Sequence, residues 1–155
     1  MALGMAAESE AAGQPARALH LIDPPPPGAG ARFRDYDRAQ LEAVFAHELG
    51  QSGDSGAHGY AERLARCCEA NLRSMIDHRL PRLTRTPSRV WLAERPLPDL
   101  PDHGNLDAQQ ADWGPHLPES AVWHRLDTTH YGIVRPPQVS AVAAAVNATL
   151  GEADS

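Results

Sequence analysis

The chain contains no lysine, and its 14 basic side chains are all arginines. Alongside abundant Ala, Gly and Pro, that reads as coding bias rather than chemistry. The 20 acidic residues outnumber the arginines and leave a formal net charge of −6. No diffuse basic field of the kind that binds phosphate backbones is present, so a nucleic-acid partner is not expected. There are only two cysteines, Cys67 and Cys68, and they are adjacent. They cannot close a useful loop with each other and form no metal-ligand spacing. No stretch approaches the roughly 20 consecutive apolar residues of a membrane span. The Ala-rich start, MALGMAAESEAAGQPA, lacks the basic region and unbroken apolar run of a secretory signal. The expectation is a protein of a reducing cytoplasm, with no membrane partner. At 155 residues and 42% hydrophobic content the chain suits one modest domain.

What is present alternates between helical and extended patterns. Residues 1–12 are strong helix formers, stopped by Gly13 and Pro15. Residues 17–23, ARALHLID with its flanking Ala, form a short apolar run that ends on Asp23 before four prolines. Proline continues neither a ladder nor a helix, so a strand stopping at Asp23 is expected. Residues 37–49 place Leu41, Val44, Phe45 and Leu49 at helical spacing, with Asp37 as N-cap and Gly50 past the end. A polar Gly/Ser connection follows. A second amphipathic helix is expected over 60–78, with Leu64, Cys68, Leu72, Met75 and Ile76 on one side. Residues 89–93, RVWLA, read as a second strand, residues 94–118 as Pro- and Gly-rich loop, and residues 121–126, AVWHRL, as a third strand. Pro136-Pro137 then open a terminal helix whose face is Val139, Val142, Val146 and Leu150. Strands joined through helices imply α/β architecture with a short parallel sheet and flanking helices.

In an α/β-hydrolase the nucleophile, acid and base come in that chain order, each on a loop beyond a strand. Asp23 ends the first strand and His130 follows the last, so the two occupy the positions of acid and base. Both also have plain readings, Asp23 as the cap of a turn and His130 as a loop histidine. Around these residues the chain resembles the C-terminal part of the α/β-hydrolase thioesterase domains of polyketide synthases and nonribosomal peptide synthetases. ARALHLIDPPPPG looks like that family's strand and acid-bearing turn. LDTTHYGIVRPPQVSAVAAAVNATL looks like its terminal strand, catalytic histidine and closing helix, and ALGMAAESEAAGQPA like the helix leaving the nucleophile turn.

The resemblance implies that Asp23 is the triad acid and His130 the general base, with no metal and no directly bound cofactor. The substrate would be an acyl or peptidyl chain presented on the phosphopantetheine arm of an acyl or peptidyl carrier protein. It would be released by hydrolysis or cyclisation. By the same resemblance residues 1–150 are the C-terminal portion of the domain, 34–80 its lid-like helical insertion and 151–155 a tail. Tyr36, Phe45, Leu64, Leu72 and Met75 are then candidates for the acyl chamber or, as plainly, for helix packing.

Two departures stand out. The family's Gly-x-Ser-x-Gly elbow would lie a few residues before Met1, and no such motif occurs in the chain. The strands before it, which form the sheet centre and part of the oxyanion hole, would be missing too. Thr128-Thr129 stands where the family often has Gly-Asp or Gly-Asn. Loss of a triad nucleophile costs on the order of 10⁶ in turnover, so the isolated chain is expected to be inactive. It reads as a fragment of a longer synthase, a mis-started or interrupted frame, or a half that works with an upstream half-domain supplying the serine. A non-catalytic remnant or interaction module, and an esterase of another α/β-hydrolase kind, remain alternatives. Three strands without central neighbours would also expose an edge, predicting poor solubility or partial order.

Other signals carry less. Gly53-Asp54-Ser55-Gly56 is similar to a protease serine motif but lacks the rest of that pattern and its all-β setting. His116, His124 and His130 with Asp112 and Asp127 raise zinc without a compact ligand spacing. Arg79, Arg82, Arg85 and Arg89 form a solvated basic run or a dock for an acidic carrier protein.

Overall fold

The computed structural model describes residues 2–28, 39, 42–43, 46, 57–75, 78–96 and 105–151. The chain divides into two compact units, one of Met1–Pro26 with Leu80–Ser155 and the other Pro27–Arg79.

In the first unit a parallel three-stranded sheet runs in the order β1 (Leu19–Ile22), β2 (Ser88–Ala93), β3 (Val122–Leu126). Leu21 stands opposite Val90 and Ile22 opposite Trp91, while Trp91 stands opposite His124 and Ala93 opposite Leu126. β2 is thus the inner strand, and its sequence shows it. Val90, Trp91, Leu92 and Ala93 are all buried, because helices cover both faces and the run has no polar alternation. Val90 and Leu92 pack with Leu3, Ala6, Leu83, Leu106, Trp113 and Leu117. Trp91 and Ala93, on the opposite face, pack with Ile133 and Val142.

α1 (Ala2–Ala11) buries Leu3, Ala6 and Glu10, residues that share one helical stripe. It ends as Gly13 predicts. That residue has φ of 79°, Gln14 N donates to Ser9 O at 2.9 Å and Gly13 N to Glu10 O at 3.0 Å. This paired closure of the last carbonyls needs a left-handed residue, which glycine supplies without a Cβ penalty. Glu10 then reaches across the unit. Its carboxylate accepts from Thr84 N and Arg85 N at 3.0 Å each and from Thr86 N at 2.5 Å, and Arg85 returns a guanidinium bond to Glu10 O. The loop leading into the inner strand is therefore held by one buried carboxylate.

Residues 94–118, expected to be loop, contain a helix. α3 (Leu106–Trp113) is opened by Asn105, whose side chain accepts from Ala108 N at 3.0 Å, and it runs into a 3-10 turn, Gly114–His116. Leu106, Gln109 and Trp113 are its buried residues, so the helical stripe was present but short and polar at one position. The remaining boundaries moved little: β1 and β3 are tighter than the expected 17–23 and 121–126. α4 (Gln138–Gly151) starts one residue after the prolines. Of its expected face only Val142 is buried; Leu150 is 58% exposed.

In the second unit α2 (Ala57–Met75) begins three residues earlier than the spacing predicts. Leu64 and Cys68 are half-buried, and Glu62 and Glu69 lie one turn before Arg66 and Arg73 as ion pairs on its outer side. Ala39, Glu42, Ala43 and Ala46 are helical. Tyr36, Phe45, the side chains of Leu72 and Met75, Ile76 and the Gly53–Gly56 motif lie outside what the structure describes. No described helix is long and apolar enough to cross a membrane.

Candidate active site

The C-terminal ends of three parallel strands present their following residues to one rim, which is where open α/β sheets carry chemistry. Asp23 follows β1 directly. Its backbone has φ of 40°, a left-handed conformation that Asp tolerates better than most residues. Its own N–H donates to Trp91 O at 2.7 Å, continuing the ladder past the strand end. The side chain is 1% exposed. One carboxylate oxygen, Oδ1, accepts from Ala93 N at 3.0 Å, and the other, Oδ2, lies 2.8 Å from His130 Nδ1.

His130 arrives from the other side of the inner strand. β3 ends at Leu126, and the loop after it stays pinned to β2's continuation, with Glu94 N donating to Leu126 O and Arg95 N to Thr128 O, both at 2.9 Å. The Arg95 guanidinium grips Asp127 through both carboxylate oxygens, at 2.7 and 2.9 Å. His130 opens a 3-10 turn, His130–Gly132, closed by Gly132 N to Thr129 O at 2.9 Å. Tyr131 meets the imidazole edge to face, with ring centroids 5.0 Å apart. The residue after the turn, Ile133, is fully buried against Trp91 and Val142 and anchors the turn to the core.

The two residues singled out from the sequence, 107 positions apart, are thus brought into contact. A carboxylate only accepts, so Nδ1 is the donor of this pair, and in the corresponding neutral tautomer Nε2 is the acceptor nitrogen. That tautomer is the one a general base toward a hydroxyl nucleophile requires. The backbone N–H of Ala93, which aims the carboxylate, had no signal in the sequence, since a main-chain donor looks the same at every residue.

The other two histidines of the late cluster, His116 and His124, are elsewhere. His124 stacks on Trp91, with centroids 3.9 Å apart, and His116 faces Pro81 O and Trp113. Among the described residues no three His, Cys, Asp or Glu side chains group as metal ligands. The arginine run is also divided. Arg85 is committed to Glu10, and Arg89 projects its charge onto His20 and His124. Burial first, and then Arg89, holds both imidazoles below their ordinary value.

No protein-family model and no curated protein matches the sequence. Solved structures do match the fold. One is the Vlm2 thioesterase domain with genetically encoded 2,3-diaminopropionic acid, bound with a dodecadepsipeptide, in space group P1. It shares 16% identity at a TM-score of 0.59 over 94% of this chain. The chain's fold is similar to part of the α/β-hydrolase fold. The same Vlm2 domain in space group H3 matches at a TM-score of 0.58 and 16% identity over 93% of this chain. The α/β-hydrolase likeness spans 60% and 62% of the lengths of those two chains. The short parallel sheet flanked by helices, expected from the sequence, is the part they share in kind.

Proposed function

We propose that this chain supplies the acid and the base of a thioesterase-like hydrolase, with Asp23 orienting His130 and His130 moving the proton. The observation that carries this reading is the 2.8 Å contact between His130 Nδ1 and Asp23 Oδ2 at the rim beyond the parallel strands. Similarity in fold to the Vlm2 thioesterase domain supports the reaction class. In the first half-reaction a serine hydroxyl attacks the thioester carbonyl and gives its proton to His130 Nε2. The pantetheine thiol then leaves with that proton, and an acyl-serine remains. In the second, His130 deprotonates water, or a hydroxyl or amine of the acyl chain itself, and the ester is resolved with the serine restored.

The serine is not in a Gly-x-Ser-x-Gly setting within this sequence. The proposal assigns it to an N-terminal half-domain, and the substrate to the phosphopantetheine arm of an acyl or peptidyl carrier protein. The test joins the chain to such a half-domain and follows release of an acyl group from a carrier-protein thioester. Release that falls on the order of 10⁶-fold on His130→Ala supports the assignment. An unchanged rate in that variant overturns it. The lack of an elbow motif favours one other reading, a non-catalytic interaction module; binding of carrier protein with no release in the joined protein would decide for it. Release from simple esters but not from carrier protein would mark an esterase of another kind.

A further inference from the structure

The turn that carries His130 holds a contact that no ordinary side chain could share. A Cβ built at Gly132 falls 2.0 Å from Thr128 Oγ1, 3.3 Å from Thr128 Cβ and 3.4 Å from Thr129 Oγ1. Thr128 is only 8% exposed, so its side chain has little room to turn aside. Its backbone is held as well, since Thr128 O accepts from Arg95 N and Thr128 N donates to Leu126 O. On the far side, Gly132 is followed at once by the fully buried Ile133, so the turn cannot swing outward as a unit. Thr128 and Gly132 therefore interlock across the three residues between them, the middle one of which is His130.

We propose that Gly132 is a positioning residue for His130: the side chain it lacks is the space Thr128 fills, and this fit sets the turn that aims Nδ1 at Asp23. The consequence for catalysis rests on the reading of His130 as base, whereas the geometric claim does not. Any side chain at 132 must push Thr128 or the 130–132 turn aside, and the imidazole moves with the turn. A hydrogen bond between a ring nitrogen and a carboxylate depends steeply on angle, so a small displacement is enough to lose it. Thr128→Ala removes the hydroxyl that meets the added Cβ at 2.0 Å and leaves the approaches of residue 128's own Cβ at 3.3 Å and of Thr129 Oγ1 at 3.4 Å, which a shift of a few tenths of an ångström relieves. The two substitutions should therefore compensate.

The experiment is histidine ¹⁵N and proton NMR of the full chain, following the deshielded Nδ1–H of His130, with backbone amide spectra as the check on folding. The wild type and Thr128→Ala are expected to show the resonance, Gly132→Ala to lose it, and Gly132→Ala/Thr128→Ala to regain it. Should Gly132→Ala fail to fold, the double variant decides: folded with the resonance supports the interlock, while folded without it, or unfolded, overturns it. A Gly132→Ala protein that keeps the resonance overturns it too, as does its loss from Thr128→Ala. A wild type without the resonance removes the Asp23–His130 pair itself, and with it the proposed function; the Gly132 outcomes leave that reading intact.

Discussion

Asp23 divides its carboxylate between two partners, giving Oδ1 to the main chain of Ala93 and Oδ2 to the ring of His130. One oxygen holds the main chain and the other meets the imidazole of the proposed base. The split allows the two duties to be separated by substitution.

Asp23→Asn keeps an acceptor for Ala93 N and tolerates the left-handed backbone, so its melting temperature should stay close to wild type. Its amide nitrogen then opposes Nδ1–H and favours the wrong tautomer, and release by the joined enzyme should fall on the order of 10⁴-fold. Asp23→Ala should lose the activity and also about 1–3 kcal/mol of stability, because Ala93 N–H is left buried without an acceptor. Denaturant unfolding of both variants checks this; equal destabilisation by Asn and Ala would contradict the division of roles.

How far the sequence revealed this arrangement depends on which physical signal each part carries. Asp23 and His130 were legible as a candidate pair because each sits where a short apolar run gives way to a turn, in the chain order that an α/β-hydrolase gives its acid and base. β2 was legible because an inner strand covered on both faces needs four consecutive apolar residues. α3 was not, since Gln109 lies buried in the middle of its stripe and breaks the apolar period, although Asn105 is an ordinary N-cap. The Glu10 anchor and the Thr128–Gly132 contact were equally hidden. Both are meetings of residues whose types suit many positions, and only tertiary packing brings them together.

Ile133 ties the turn that carries His130 to the sheet, being fully buried with Trp91, Ala93 and Val142. Ile133→Ala should cost about 2–5 kcal/mol in denaturant unfolding, from lost transfer energy and the cavity left behind. A loss below about 1 kcal/mol would mean that the turn is not anchored through this side chain.

His20 and His124 predict a weakening of the fold on mild acidification. Both imidazoles are held below their ordinary 6.5, by burial and then by Arg89, and His20 additionally by His124. The groups that face them are these two rings and Arg89 from the strands, while α4, whose Thr149 reaches His20 Nε2, carries no ionisable side chain. A lowered folded pKa means the unfolded chain binds protons first. The stabilising contribution is thus complete above pH 6.5 and is lost as pH falls below it. His124→Phe preserves the stack on Trp91 and should remove about half of that acid-side slope. The midpoint of urea unfolding, followed between neutral pH and pH 5, measures it; an unchanged slope would rule out His124 as a contributor.

Glu10 acts in the same direction at lower pH and for the opposite chemical reason. Burial alone raises its carboxyl pKa, but the hydrogen bonds from Thr84, Thr86 and Arg85 outweigh it and hold the group down from 4.5 to about 2. The charged form is the one the loop before β2 is built around, and its stabilisation is present above pH 4.5 and disappears as pH falls toward 2. Glu10→Gln keeps an acceptor oxygen but loses the charge, and should cost about 1–2 kcal/mol at neutral pH. Glu10→Ala orphans the N–H groups of Thr84, Arg85 and Thr86 together and should cost on the order of 3 kcal/mol. Because the anchor acts on the inner strand, the cost should appear as global unfolding, with amide exchange accelerated across β2 as well as at residues 84–86. Faster exchange confined to the loop would show that the sheet holds without this carboxylate, and a Gln variant that still loses stability between pH 4.5 and 2 as steeply as wild type would assign the acid lability to another group.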